Sequence, residues 1–225
     1  MNSLARLRAR WSDPLLTALT VLLAAVIFLI APLQAAGLAE AQDIGFAVVA
    51  IIIGALVILS GNPLAIVVMI IAFGLAATAA ILRQHEPSQF DLYLKAIAWM
   101  LMSLTLIWVT GRAVFAAGRI TYHRIMGAIL LYLAIGWAFA GLFLFIGLMF
   151  PNAFGGMSIA DTPQLTSQMA YFSFGTLTTA GSGDITAVHP LARSLTNLEA
   201  MVGQLYPATL LARLVTLQIE DEPKG

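Results

Sequence analysis

The sequence predicts an all-α integral membrane protein with six transmembrane helices and a short helix that enters the membrane before the last of them. Three observations carry this. The chain is 60% hydrophobic and 10% charged, with a mean hydropathy of +0.94, where soluble domains carry about 25% charged residues. Apolar runs near the length needed to cross a bilayer, about 20 residues, recur six times. A threonine- and glycine-rich stretch, residues 171–184, lies between the last two. Formal net charge is zero, so charge gives no argument for nucleic acid. The absence of cysteine excludes disulfides, thiol catalysis and cysteine metal sites.

In order, the runs cover about 14–33, 44–59, 64–82, 92–117, 125–150 and 191–219. The second is short. The fifth is long and uncharged, so it is expected to tilt or protrude. The sixth carries Arg193, Asn197, Glu199, Gln204 and Arg213, which suits contact with protein or water rather than lipid. Arg6, Arg8 and Arg10 before an apolar run that ends near Gln34-Ala35-Ala36 have the order of a signal peptide. The run exceeds the usual 7–15-residue signal core, so it reads as an uncleaved first helix.

Charge sets the expected orientation. Arg6, Arg8 and Arg10, and Arg112, Arg119 and Arg124 after the fourth run, are placed inside by the positive-inside rule. The loop 35–43, with Glu40 and Asp43, falls outside, and Ser60-Gly61-Asn62-Pro63 makes a tight inner turn. Both termini are then cytoplasmic in a multi-pass protein of the cell (inner) membrane, and the segment before the sixth run opens outward.

That segment starts as a loop, 151–156. Asp161 or Thr162 is the expected N-cap of a short helix, with Pro163 at its first position and an end near Thr176. Such a helix would aim its negative dipole end at Thr178-Thr179. Glycines at 181 and 183 let the backbone direct carbonyl oxygens at one axis, which is how an ion-selectivity filter replaces the hydration shell of a cation.

Tyr171-Phe172-Ser173-Phe174, then Thr-Leu-Thr-Thr, then Gly181-Ser182-Gly183-Asp184, then Leu191–Leu195, Glu199 and Gly203–Tyr206 resemble the pore module of the two-helix-per-subunit potassium channel superfamily, in its bacterial ion-channel-2 type. The resemblance covers about 119–215. It implies a tetrameric, voltage-gated-like potassium channel architecture: a four-helix scaffold over 1–118 and a pore domain over 119–225. By this resemblance the ion-binding filter comprises Thr178, Thr179, Ala180, Gly181, Ser182, Gly183 and Asp184. The carbonyls of 179–182 and the Thr179 hydroxyl would line ion sites, and Asp184 would stand at the outer mouth, where a plain turn residue is the alternative. The family filter is Thr-Val-Gly-Tyr-Gly. Ala180 and Ser182 replace its valine and tyrosine, removing an aromatic anchor, so potassium selectivity is expected to fall. Gly203 and Pro207 form a candidate gate hinge, with close helix packing the alternative for Gly203. Glu199 is expected to support the pore through a polar contact behind the filter, through the cavity, or through a pair with Arg193 or a pore-helix hydroxyl.

The implied function is passive conduction of potassium, with some sodium, through a homotetramer that contacts membrane lipids and monovalent cations. The alternatives are a non-selective cation channel and a non-conducting channel-like subunit. No cofactor and no metal beyond the permeant cation are expected. The first four helices read as a scaffold, because the fourth run offers only Lys95 and Arg112, at its two ends. An enzyme is the rival class, since Ala-Gly-Ser-Gly evokes the Gly-x-Ser-Gly of rhomboid proteases. Position 180 is alanine, however, and His189 lies in a nearby loop rather than on a facing helix.

Overall fold

The computed structural model describes residues 3–38, 40–60, 62–85, 88–115 and 122–221. Side chains are described from Pro14 to Arg213, apart from 39–43, 45–46, 57–59, 61, 83–87 and 116–121. The expected charges at Arg6, Arg8, Arg10, Glu40, Asp43 and Arg119 lie outside the described side chains.

Helices account for almost all of it: α1 (Ser3–Ala25), a π-helical turn (Val26–Ile30), α2 (Ala31–Ala35), α3 (Glu40–Ser60), α4 (Pro63–His85), α5 (Gln89–Val114), α6 (Tyr122–Met149), α7 (Pro163–Leu177) and α8 (Pro190–Asp221). Two short strands, β1 (Phe154–Gly155) and β2 (Thr186–Ala187), pair antiparallel. Among the described residues, four stretches are long and apolar enough to cross a membrane: Pro14–Ala35, Pro63–Leu82, Gln89–Val114 and Tyr122–Met149. The helix α3 holds a shorter apolar stretch, Ala47–Leu56, and α8 is more polar than α3, α4, α5 and α6, as its composition predicts.

Local chemistry explains most boundaries. The first helical run passes through Val26–Ile30 with a wider turn, in which the Ala31 N–H reaches the Val26 carbonyl. Pro32 follows closely. A proline ring collides with the carbonyl four residues back, and a π turn opens the helix there. The run ends in a Schellman motif: Gly37, at φ +90°, donates to the Gln34 carbonyl and Leu38 donates to that of Leu33. Positions 40 and 43, expected in an outer loop, fall instead within the α3 backbone, which starts at Glu40. Asn62 caps α4, its side-chain oxygen accepting from the Leu64 N–H at 3.0 Å. In α5 the Asp91 carboxylate reaches back to the Ser88 N–H at 3.0 Å, so the helix starts at Gln89 rather than near Leu92.

The helix α6 is the centre of the molecule and packs against α1, α5, α7 and α8. Trp99 of α5 meets Trp137 of α6 with ring centroids 4.8 Å apart. Phe143 is fully buried against Phe154 and Phe172. At one end the Thr20 hydroxyl donates to the Met126 carbonyl, and at the other Tyr93 donates to that of Leu148. These contacts join the first four helices to α6 and fix what lies on its other side, α7 and the segment after it.

Candidate functional site

Proline at the first helical position starts α7 as its sequence implies. Thr162 holds the N-cap position in an extended conformation, yet its side chain makes no capping hydrogen bond. The helix packs between α6 and α8, and small residues permit it. An added Cβ at Gly136 would stand 2.7 Å from the Phe174 ring. One at Gly203 would stand 1.8 Å from the Leu177 carbonyl oxygen. Gly203 therefore lets the α8 backbone touch the C-terminal end of α7. Pro207 lies inside α8, which continues through it.

Behind α7 is a buried polar cluster. Glu199 is 0% exposed. The Ser173 hydroxyl lies 2.5 Å from Glu199 Oε1 and 2.7 Å from the Gly136 carbonyl oxygen. Glu199 thus meets a hydroxyl of α7. Arg193 instead donates to the Ala187 carbonyl at 3.1 Å. Nearby, Tyr132 donates to the Leu177 carbonyl and Tyr206 to that of Ala128, and their rings stack at 5.7 Å.

The segment Thr178–Asp184 leaves the C-terminal end of α7, where unpaired carbonyls favour a cation. The Thr178 N–H still bonds to the Phe174 carbonyl, and the Thr179 N–H to that of Thr176. From Thr179 to Gly183 the sign of φ alternates: Thr179 (+59°), Gly181 (+78°) and Gly183 (+73°) are positive, while Ala180 and Ser182 are not. Alternating hand gathers successive N–H groups on one side of a chain and carbonyls on the other. The Gly181 N–H donates back to the Gly175 carbonyl at 2.9 Å. The peptide is trans, so the Ala180 carbonyl points the opposite way, off α7. Thr178, Thr179, Ala180, Gly181, Gly183 and Asp184 are exposed. Thr179 Oγ1 also accepts from Gln204 of α8 at 3.1 Å.

Ser182 breaks the pattern. It is 8% exposed, and its side chain lies over Gly175, where an added Cβ would stand 3.3 Å from the hydroxyl. Its carbonyl accepts from the Tyr171 hydroxyl at 2.5 Å and from the Asp184 N–H at 2.8 Å. Beyond the segment, Gly156 (φ +82°) lies so close that an added Cβ would sit 1.8 Å from the Asp184 carbonyl oxygen. The expected loop 151–156 is thus partly a strand, with Phe154 opposite Ala187 and Gly155 opposite Thr186, and it braces the Asp184 end of the segment.

Sequence reasoning gave no site role of their own to Tyr171, Gly175, Gly136, Gly156 and Gln204. A glycine inside a helix is costly and usually marks a packing reason, so Gly175 was the available signal. Among the described residues no group of three or more histidines or carboxylates could hold a metal ion.

Residues 129–219 match the model of a family described as ion channel. The matched stretch contains most of α6, all of α7, the segment 178–184 and nearly all of α8. No curated protein and no solved structure matches the chain. The matched region is similar to an ion channel, and the apolar helices around it make the chain a multi-pass membrane protein.

Proposed function

We propose that four copies of this chain surround a pore through which potassium, with some sodium, passes passively across the cell (inner) membrane. The observation that carries this reading is the segment Thr179–Gly183: φ alternates in sign and the Ala180 carbonyl turns away from the helix end behind it. One segment supplies one side of an ion site, so several copies are needed, and filters of this kind use four. The carbonyls of Thr179 and Ala180 and the Thr179 hydroxyl would replace part of the hydration shell. Asp184 would raise cation concentration at the mouth, since clefts lined by one sign of charge concentrate the opposite ion. The α7 dipole would favour a cation at the inner end.

Residues 119–225 form the pore unit in this reading, with both termini cytoplasmic. Glu199, through Ser173, holds α8 to the pore helix. Gly203 and Pro207 are the places where α8 would bend, and Gly203 also seats α8 on Leu177. Residues 1–118 act as a scaffold. Lys95 donates to Thr166 of α7 at 2.7 Å and lies over Trp99, and Arg112 lies over Trp108. Each elementary charge that crosses the field contributes about 2.3 kcal/mol per 100 mV. With two held charges at the helix ends, the conductance–voltage relation should be shallow.

The test is cation flux in proteoliposomes under parallel potassium and sodium gradients. Potassium flux exceeding sodium flux by a modest factor is expected. Absence of both would retire the channel reading in favour of a non-conducting subunit, and equal flux would make the pathway non-selective. Crosslinking in nanodiscs should give a ladder ending at four chains.

A further inference from the structure

The Ser182 carbonyl does not follow its neighbours. A carbonyl oxygen has two lone pairs, and here two donors occupy it: the Tyr171 hydroxyl at 2.5 Å and the Asp184 N–H at 2.8 Å. Tyr171 stands on α7, behind the segment, so this carbonyl is drawn toward the helix. The Ser182–Gly183 peptide is trans, so the Gly183 N–H faces the opposite direction. Two peptides earlier the arrangement is reversed, with the Gly181 N–H turned to α7 and the Ala180 carbonyl turned out. The outer end of the segment thus presents the positive end of a peptide dipole where the inner part presents the negative end. Room for this comes from two side chains: the small Ser182 hydroxymethyl fits over Gly175, and Tyr171 on the neighbouring element reaches its backbone.

We propose that Tyr171 is a specificity-determining residue: its hydroxyl holds the Ser182 carbonyl off the ion path, removing the outermost carbonyl ring and leaving a hydrated outer position. This rests on the channel reading above. Discrimination between potassium and sodium then falls to the inner carbonyls, and the outer position accepts either ion with its water. Removing the hydroxyl leaves a short-range turn as the remaining partner of the carbonyl, which an ion can displace.

The experiment compares wild type, Tyr171→Phe and Tyr171→Trp in the proteoliposome assay, with potassium- and sodium-dependent thermal stabilisation measured on the same full-length preparations. Tyr171→Phe is expected to raise the potassium-to-sodium ratio roughly tenfold, the equivalent of one strong hydrogen bond released to ion binding. It should also make stabilisation by potassium exceed that by sodium. Tyr171→Trp keeps an N–H donor and should stay near the wild-type ratio. An unchanged ratio in a conducting Tyr171→Phe protein overturns the assignment and leaves the channel reading standing. A wild-type protein that shows neither flux nor ion-linked stabilisation overturns the channel reading, and the role of Tyr171 falls with it. Where Tyr171→Phe does not assemble, 3-fluorotyrosine at position 171 reports from an otherwise native chain. A ¹⁹F signal indifferent to exchange of potassium for sodium is expected, whereas an ion-dependent shift means the carbonyl already serves the ion and overturns the assignment.

Discussion

In the first four long helices Gly54, Gly74 and Gly111 face open space, with nothing within 4 Å of an added Cβ. In the following hundred residues Gly136, Gly147, Gly156 and Gly203 each stand where an added Cβ would come within 3 Å of another atom. Polar side chains inside the first region follow suit: Thr78, Ser103 and Thr105 donate to carbonyls of their own helices, and it is at the seams with α6 and α7 that Thr20, Tyr93 and Lys95 bond across. Tyr132, Tyr171, Ser173, Gln204 and Tyr206 instead bond across to other elements. The first region is held by apolar side chains, which tolerate volume-conserving exchange. The second is held by backbone approaches and directed hydrogen bonds, which do not. The proposed pore would require the second kind, because the backbone carbonyls lining it must be held in a fixed direction.

Substitutions can break or sharpen this contrast. The largest effect is expected from Gly203→Ala. The Cβ would fall on a backbone carbonyl of α7, which cannot step aside as a flexible side chain can. A loss of about 3 kcal/mol or more is expected, read as a steep fall in folded protein recovered in mild detergent. Near-normal recovery would mean that α8 and α7 are not in backbone contact.

Ser173→Ala comes next. It leaves the buried Glu199 without its hydroxyl partner, at a cost of about 1–3 kcal/mol. Thermal unfolding in detergent measures the loss. Replacing both groups, as Ser173→Ala with Glu199→Leu, should recover much of it, since removing both partners of a buried pair leaves nothing unsatisfied. A double variant as unstable as the single one would mean that Glu199 has a further role.

Gly181→Ala separates backbone conformation from packing. There is space for the methyl group, with nothing within 4 Å, but φ is +78°. The strain is about 1–2 kcal/mol, confined to the filter. Folded protein should be recovered at close to wild-type yield while cation flux falls. Unchanged flux would separate the filter segment from conduction.

The smallest effect belongs to the scaffold. Gly74→Ala places a methyl group in open space in the middle of α4 and should stabilise the helix by up to about 1 kcal/mol, with flux unaltered. A clear loss of stability there would show that the face of α4 carrying Gly74 packs against another chain in the assembly.

Much of the candidate site was legible because it is local. Pro163 marks the start of α7, and the change from apolar residues to Thr-Thr-Ala-Gly-Ser-Gly marks its end. The glycines at 181 and 183 sit where φ is positive. The outer brace was not legible, because two residues of strand at 154–155 and two at 186–187 carry no pattern until they meet. The early start of α5 was available in Ser88 and Asp91, three residues apart, which match the spacing of a capping box.

By itself the sequence determined the membrane class, the main helical runs and the place of the threonine- and glycine-rich segment. These follow from hydropathy, span length and the φ restrictions of single residues, all of which act within a few residues of chain. Only the tertiary structure decided which polar groups meet: Tyr171 with the Ser182 carbonyl, Ser173 with Glu199, Gln204 with Thr179. Those pairings depend on the rotation of each helix about its axis and on its offset along its neighbour. Apolar helices such as α6 have no polar face to set that rotation. It is set by where glycine lets one backbone approach another, and the direction of each filter peptide is then set by the donor or acceptor waiting behind it.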